Sequence, residues 1–184
     1  MTAPETSVDA PLQGDGEPAA SRPVAQLVFG MGNGIASIVY GTVTAMATVT
    51  AFGNEKDPWK LAGLVGATAL VFWIAHLYAH ALSESIAEPG TLRPATVAAI
   101  AHREFGIVLA AVLPITALVL GAVGVFNERR AVWLALGIGL ATLAVEGARY
   151  ARLERLRLTG TLIAIASNVI LGLLVVALKV GIGH

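Results

Sequence analysis

The stretch LAGLVGATALVFWIAHLYAHALSES, residues 61–85, carries no Asp, Glu, Lys or Arg before Glu84. A bilayer core of about 30 Å is crossed by roughly 20 helical residues, and the apolar part of this stretch, residues 61–79, is long enough to do so. It closes on His76, His80 and Glu84, four positions apart, which a helix displays as one slowly drifting stripe. At about 1.5 Å of rise per residue, His76 falls just inside the apolar zone, His80 at its edge and Glu84 a turn outside.

The rest of the chain has the same character. It has 184 residues, of which 56% are hydrophobic and 13% charged, and its mean hydropathy is +0.76. These values exclude an ordinary soluble domain and point to an all-α, polytopic membrane protein. Without Cys there is no disulfide framework, thiolate metal site or catalytic thiol. A formal net charge of zero, with no basic face, argues against nucleic acid as a partner. No catalytic constellation stands out, so the expectation is not an enzyme.

Residues 1–22 are rich in Pro, Gly, Ala and acids and read as a disordered tail, not a signal peptide. Residues 23–184 divide into five apolar segments, about 24–52, 59–87, 94–126, 131–157 and 158–182, predicting a five-helix transmembrane domain. Short links make neighbouring helices antiparallel. Small residues recur in GIASIVYG, GLVGA and GIGLA, as in helices that approach closely in lipid. Pro114 is expected to kink the third helix.

Arg22, Arg93, Arg103, Arg149, Arg152, Arg155 and Arg157 fall on the N-terminal side, against Lys56, Lys60, Arg129, Arg130 and Lys179 on the other. This excess predicts a cytoplasmic N-terminus and an outside C-terminus, in a bacterial cytoplasmic membrane.

Several groups could carry chemistry. The third helix returns with AHREFGI, residues 101–107, placing His102 and Glu104 near the depth of His80. His76, His80, Glu84, His102 and Glu104 are therefore the candidate metal or proton site, since imidazole and carboxylate suit zinc, iron or manganese. The alternative is an interfacial rim whose charges simply pair, Arg103 with Glu84 or Glu104. Glu146 lies inside the fourth apolar run, with Arg149 and Tyr150 following; it is either a local ion pair with Arg149 or a carboxylate facing the interior. Arg149, Arg152, Arg155 and Arg157 sit where anionic lipid head groups would be. Asn33 and Asn168 are amides deep in apolar segments, and read more readily as interhelical hydrogen bonds than as substrate contacts.

The five-helix layout, GMGNGIAS at 30–37 and AVLPI at 111–115 resemble the vacuolar iron transporter (VIT) family. Its first helix opens with a Gly-x-x-Asp-Gly-Ile-Val-Ser pattern. The resemblance implies a homodimer that moves ferrous and related divalent ions coupled to protons. In a transporter of this layout, Asn33 and Glu146 would line the deeper path. Three features depart from it. Asn33 stands where the family has Asp, which removes a fixed negative charge. FWIAHLYAH occupies the place of the family's second-helix signature. Only Glu88 to Pro94 links helices two and three, where many members insert a carboxylate-rich domain. The expected function is divalent-metal or proton transport with no certain cofactor beyond such an ion. The alternatives are a non-transporting membrane scaffold or accessory subunit, and a b-type haem protein using His76 or His80 with His102.

Overall fold

The computed structural model describes residues 21–55, 57–87 and 93–182, with side chains of the first helix from Gly34 and of the last as far as Leu178. The proposed tail lies outside the described residues, apart from Ser21 and Arg22, which begin a helix. Six helices follow in order: α1 Ser21–Phe52, α2 Pro58–Ala87, α3 Pro94–Glu104, α4 Gly106–Ala122, α5 Glu128–Leu153 and α6 Leu158–Ile182. There is no strand among the described residues. α3 and α4 run on as one span, so five segments are long and apolar enough to cross a membrane: Gly34–Phe52, Pro58–Ile86, Pro94–Ala122, Glu128–Leu153 and Leu158–Leu178. The chain is an all-α, multi-pass membrane bundle.

The third span breaks at Phe105, and α4 runs through the expected kink site, Pro114. The cause of the break lies on another helix. The Trp73 indole N–H donates to the Ala101 carbonyl at 3.0 Å, the oxygen that the Phe105 amide would take in an unbroken α-helix. The Phe105 amide donates to His102 instead, at 3.3 Å, and the helix restarts at Gly106. α5 starts earlier than its apolar run because the Asn127 side chain caps it, accepting from the Arg130 amide at 2.8 Å. It ends at Leu153 because Arg155 takes a left-handed conformation, φ +50°.

α1 packs against each of the other helices and presents two opposed faces to them. On one, Gly41 meets α4 so closely that a Cβ there would stand 2.5 Å from the Ile107 carbonyl oxygen. On the other, Met46 fills the space left by Gly139 of α5, whose Cβ would stand 2.5 Å from Met46 Cγ. Met46 and Ser37 differ by nine positions, about half a turn at 100° per residue. Met46, Val49, Leu61, Val65, Leu118, Leu136 and Leu143 form the buried centre. Lipid supplies no hydrophobic force between helices, so contacts of this kind hold the bundle.

Gly41→Ala should therefore lower stability by about 1–3 kcal/mol through overpacking. Gly63→Ala, inside α2 where an added Cβ meets nothing within 4 Å, should not lower it and should raise it by up to about 1 kcal/mol; thermal unfolding in one detergent compares them.

Candidate functional site

The most buried acid near the α2–α3 end of the bundle is Glu104, the last residue of α3, with 4% of its surface exposed. Gly106 and Gly41 let α1 approach the α3–α4 junction closely, and this brings Ser37 to the carboxylate. A Cβ on Gly106 would stand 3.1 Å from Ser37 Cβ. The Ser37 hydroxyl donates to Glu104 Oε2 at 2.6 Å. The other oxygen, Oε1, accepts from Arg103 Nε at 3.2 Å and lies 3.4 Å from His80 Nε2. Glu104 is sealed on the protein side, whereas the His80 side chain is 46% exposed. A half-exposed imidazole thus stands against a buried carboxylate.

Aromatic side chains hold α2 in register for this meeting. Trp73, besides its bond to Ala101, packs edge-on against Phe105 at 6.0 Å. The ring of His76 lies 4.5 Å from that of Tyr40 and 6.5 Å from that of His80. Its Nδ1 is 3.1 Å from the Phe72 carbonyl oxygen. A carbonyl only accepts, so Nδ1 carries a proton and donates it.

Taking a carboxylate out of water costs several kcal/mol unless it is hydrogen-bonded and paired. Ser37 and Arg103 offset that cost, and His80 Nε2 stands 3.4 Å from Oε1, slightly beyond ordinary hydrogen-bond reach.

The wider ligand set expected from the sequence does not gather here. Among the described residues, no group of three or more His, Cys, Asp or Glu side chains is placed to hold a metal ion. His80 meets Glu104 and not His102, which is exposed. Residues two apart on a helix do not share a face, so once Glu104 turns inward to Ser37, His102 turns away. Glu84 is exposed, a turn beyond His80. His76 joins Tyr40 and the Phe72 carbonyl.

Glu146 is the second buried acid, 4% exposed. Arg149 Nη1 donates to both its oxygens, at 2.7 and 2.8 Å, so it forms the local ion pair of its own helix. The next residue, Gly147, lies against the α6 backbone, where a Cβ would stand 2.9 Å from the Ala164 carbonyl oxygen and 3.1 Å from Asn168 Nδ2. Asn168 thus sits at the α5–α6 contact. The side chain of Asn33 lies outside the described residues. Arg152, Arg155 and Arg157 are exposed.

Ser37 and Trp73, neither of them titratable, complete the site. In the sequence Ser37 is only the last letter of GMGNGIAS, and Trp73 is one apolar residue among others. No protein-family model, curated protein or solved structure matches the chain.

The Ser37–Glu104 bond should be measurable as a coupling. Ser37→Ala is expected to cost about 1–3 kcal/mol by leaving a buried acceptor short of a donor. Combined with Glu104→Ala it should be non-additive by about 0.5–3 kcal/mol. A double-mutant cycle of unfolding in detergent gives both values.

Proposed function

We propose that this chain is a small membrane transporter that moves protons, either alone or in exchange for a divalent metal ion, with His80 and Glu104 as the groups that first receive them. The observation that carries this reading is the pairing of a buried carboxylate with an exposed imidazole near the end of a membrane-spanning helix. Buried acids inside spans are costly and are characteristic of proton relays and ion pathways. The unperturbed pKa of histidine, about 6.5, lets modest changes in surroundings alter its charge near neutral pH.

The proton comes before the metal for a specific reason. Arg103 already lies on Glu104 Oε1, so a divalent cation reaching that oxygen meets a guanidinium and must displace it, whereas a proton need not. His80, Glu104 and the Ser37 hydroxyl could together offer such an ion one nitrogen and two kinds of oxygen after Arg103 moves. The excess of Arg at the α2–α3 end supports a cytoplasmic placement of this mouth.

A non-transporting scaffold is the second reading. It is favoured by the neutralisation of both buried acids, Glu104 beside Arg103 and Glu146 beside Arg149. In that case the pairs only hold helices in place.

Proteoliposome flux separates the two readings. Wild type should carry protons above the leak of empty vesicles, with or without an opposing gradient of a first-row divalent metal. Glu104→Gln should fall to that leak. His80→Ala should slow the flux relative to wild type. Wild-type flux of protons and metals equal to empty vesicles would leave the scaffold.

A further inference from the structure

The α5–α6 turn joins two spans, Glu128–Leu153 and Leu158–Leu178, and so lies at the bilayer surface. It reads RLERLRL from Arg152 to Leu158. Leu153, Leu156 and Leu158 are all exposed, Leu158 at 77%, as are Arg152, Arg155 and Arg157. Exposed leucines alternating with exposed arginines suit a segment whose apolar side chains enter the acyl region while the guanidinium groups stay among head groups.

Two further observations separate this turn from an ordinary basic loop. The first is the charge left over. Arg149 is committed to Glu146 by two hydrogen bonds, but among the described residues no ion pair engages Arg152, Arg155 or Arg157. Glu154 is the one acid between them.

The second is the backbone. The Leu156 amide donates to the Ala151 carbonyl at 2.9 Å and the Arg155 amide to that of Arg152 at 3.2 Å, the two bonds of a Schellman helix end. The left-handed residue of that motif is usually Gly, sometimes Asn, because a Cβ is disfavoured there. Here Arg155 holds it, at φ +50°. A strained residue that a simpler one would relieve is a pointer to function. What Arg155 offers and Gly lacks is a guanidinium with planar, bidentate affinity for phosphate oxygens.

We propose that the α5–α6 turn is a binding site for the phosphate-bearing head group of an anionic phospholipid, held by Arg152, Arg155 and Arg157. Arg149 contributes less, because its charge is paired with Glu146 through Nη1. The site is independent of the His80–Glu104 pair and of whether the protein transports anything.

The test uses the full chain in nanodiscs of phosphatidylcholine, with or without phosphatidylglycerol, reading the melting temperature and, by native mass spectrometry, the lipids retained. Wild type should melt higher with phosphatidylglycerol and retain it in preference to phosphatidylcholine. Arg155→Gly should melt in phosphatidylcholine no lower than wild type, since the strained position is relieved, yet lose preference for the anionic lipid about fivefold, the factor for one basic residue at a membrane surface. Arg152→Gln/Arg157→Gln should lose more, again without a lower melting temperature in phosphatidylcholine. Undiminished preference in both variants would overturn the proposal. So would melting temperatures that fall equally in both lipids, which would mark the arginines as structural. Inorganic phosphate raising the melting temperature in phosphatidylcholine as much as phosphatidylglycerol does would assign the site to a free anion instead of a lipid.

Discussion

The hydrogen bond from Ser37 to Glu104 is the interaction on which the α2–α3 end of the bundle depends. A carboxylate at that depth needs donors within reach, because neither lipid nor packed alkyl chains supply any. Ser37 reaches it only because α1 meets the α3–α4 junction nearly backbone to backbone, through Gly41 and Gly106. Closeness of that order is what small residues provide in a membrane, where packing and hydrogen bonds replace the hydrophobic effect as the force between helices. The glycines and the buried acid therefore belong to one arrangement: widen the contact, and the acid loses its donor.

The break at Phe105 belongs to the same arrangement. Trp73 takes the Ala101 carbonyl and sets its ring edge-on to Phe105, tying α2 to α3 just before Glu104. α2 then carries His80 to the oxygen that Ser37 leaves free. Each carboxylate oxygen thus answers to a different helix, Oε2 to α1 and Oε1 to α2, with Arg103 beside it. A single side chain reports on the positions of three spans, as a group that couples protonation to helix movement would have to do.

Much of the fold could be read from the chain because length and apolarity alone mark a membrane span, and five segments satisfied both. The helix break could not, since its cause is a side chain far away in sequence. Pro114 carries the local signal for a kink, and it lies inside α4, buried among its neighbours. At the site, depth counting put His80, His102 and Glu104 near one level, and the structure brings two of them together. Depth follows from the rise per residue, but facing depends on which side of α3 packs on α1, and that is decided by Gly106 and Ser37. The Glu146–Arg149 pair was open to reading at i and i+3 because both partners lie on one helix, so no tertiary knowledge was needed. Only the burial of Glu146 and the bonds to both its oxygens distinguish it from an inward-facing free acid.

The two faces of α1 divide the chain in time as well as in space. Every group around Glu104, from Ser37 through Trp73 and His80 to Arg103, lies on the first three spans, while the notch that Met46 fills is made by α5 and α6. During synthesis the acid can find its donor and its imidazole as soon as the third span has entered the bilayer, so its exposure to lipid as an unpaired group is brief. The later spans then insert against the opposite side of α1, and the acid they bring, Glu146, arrives with its partner Arg149 on the same helix.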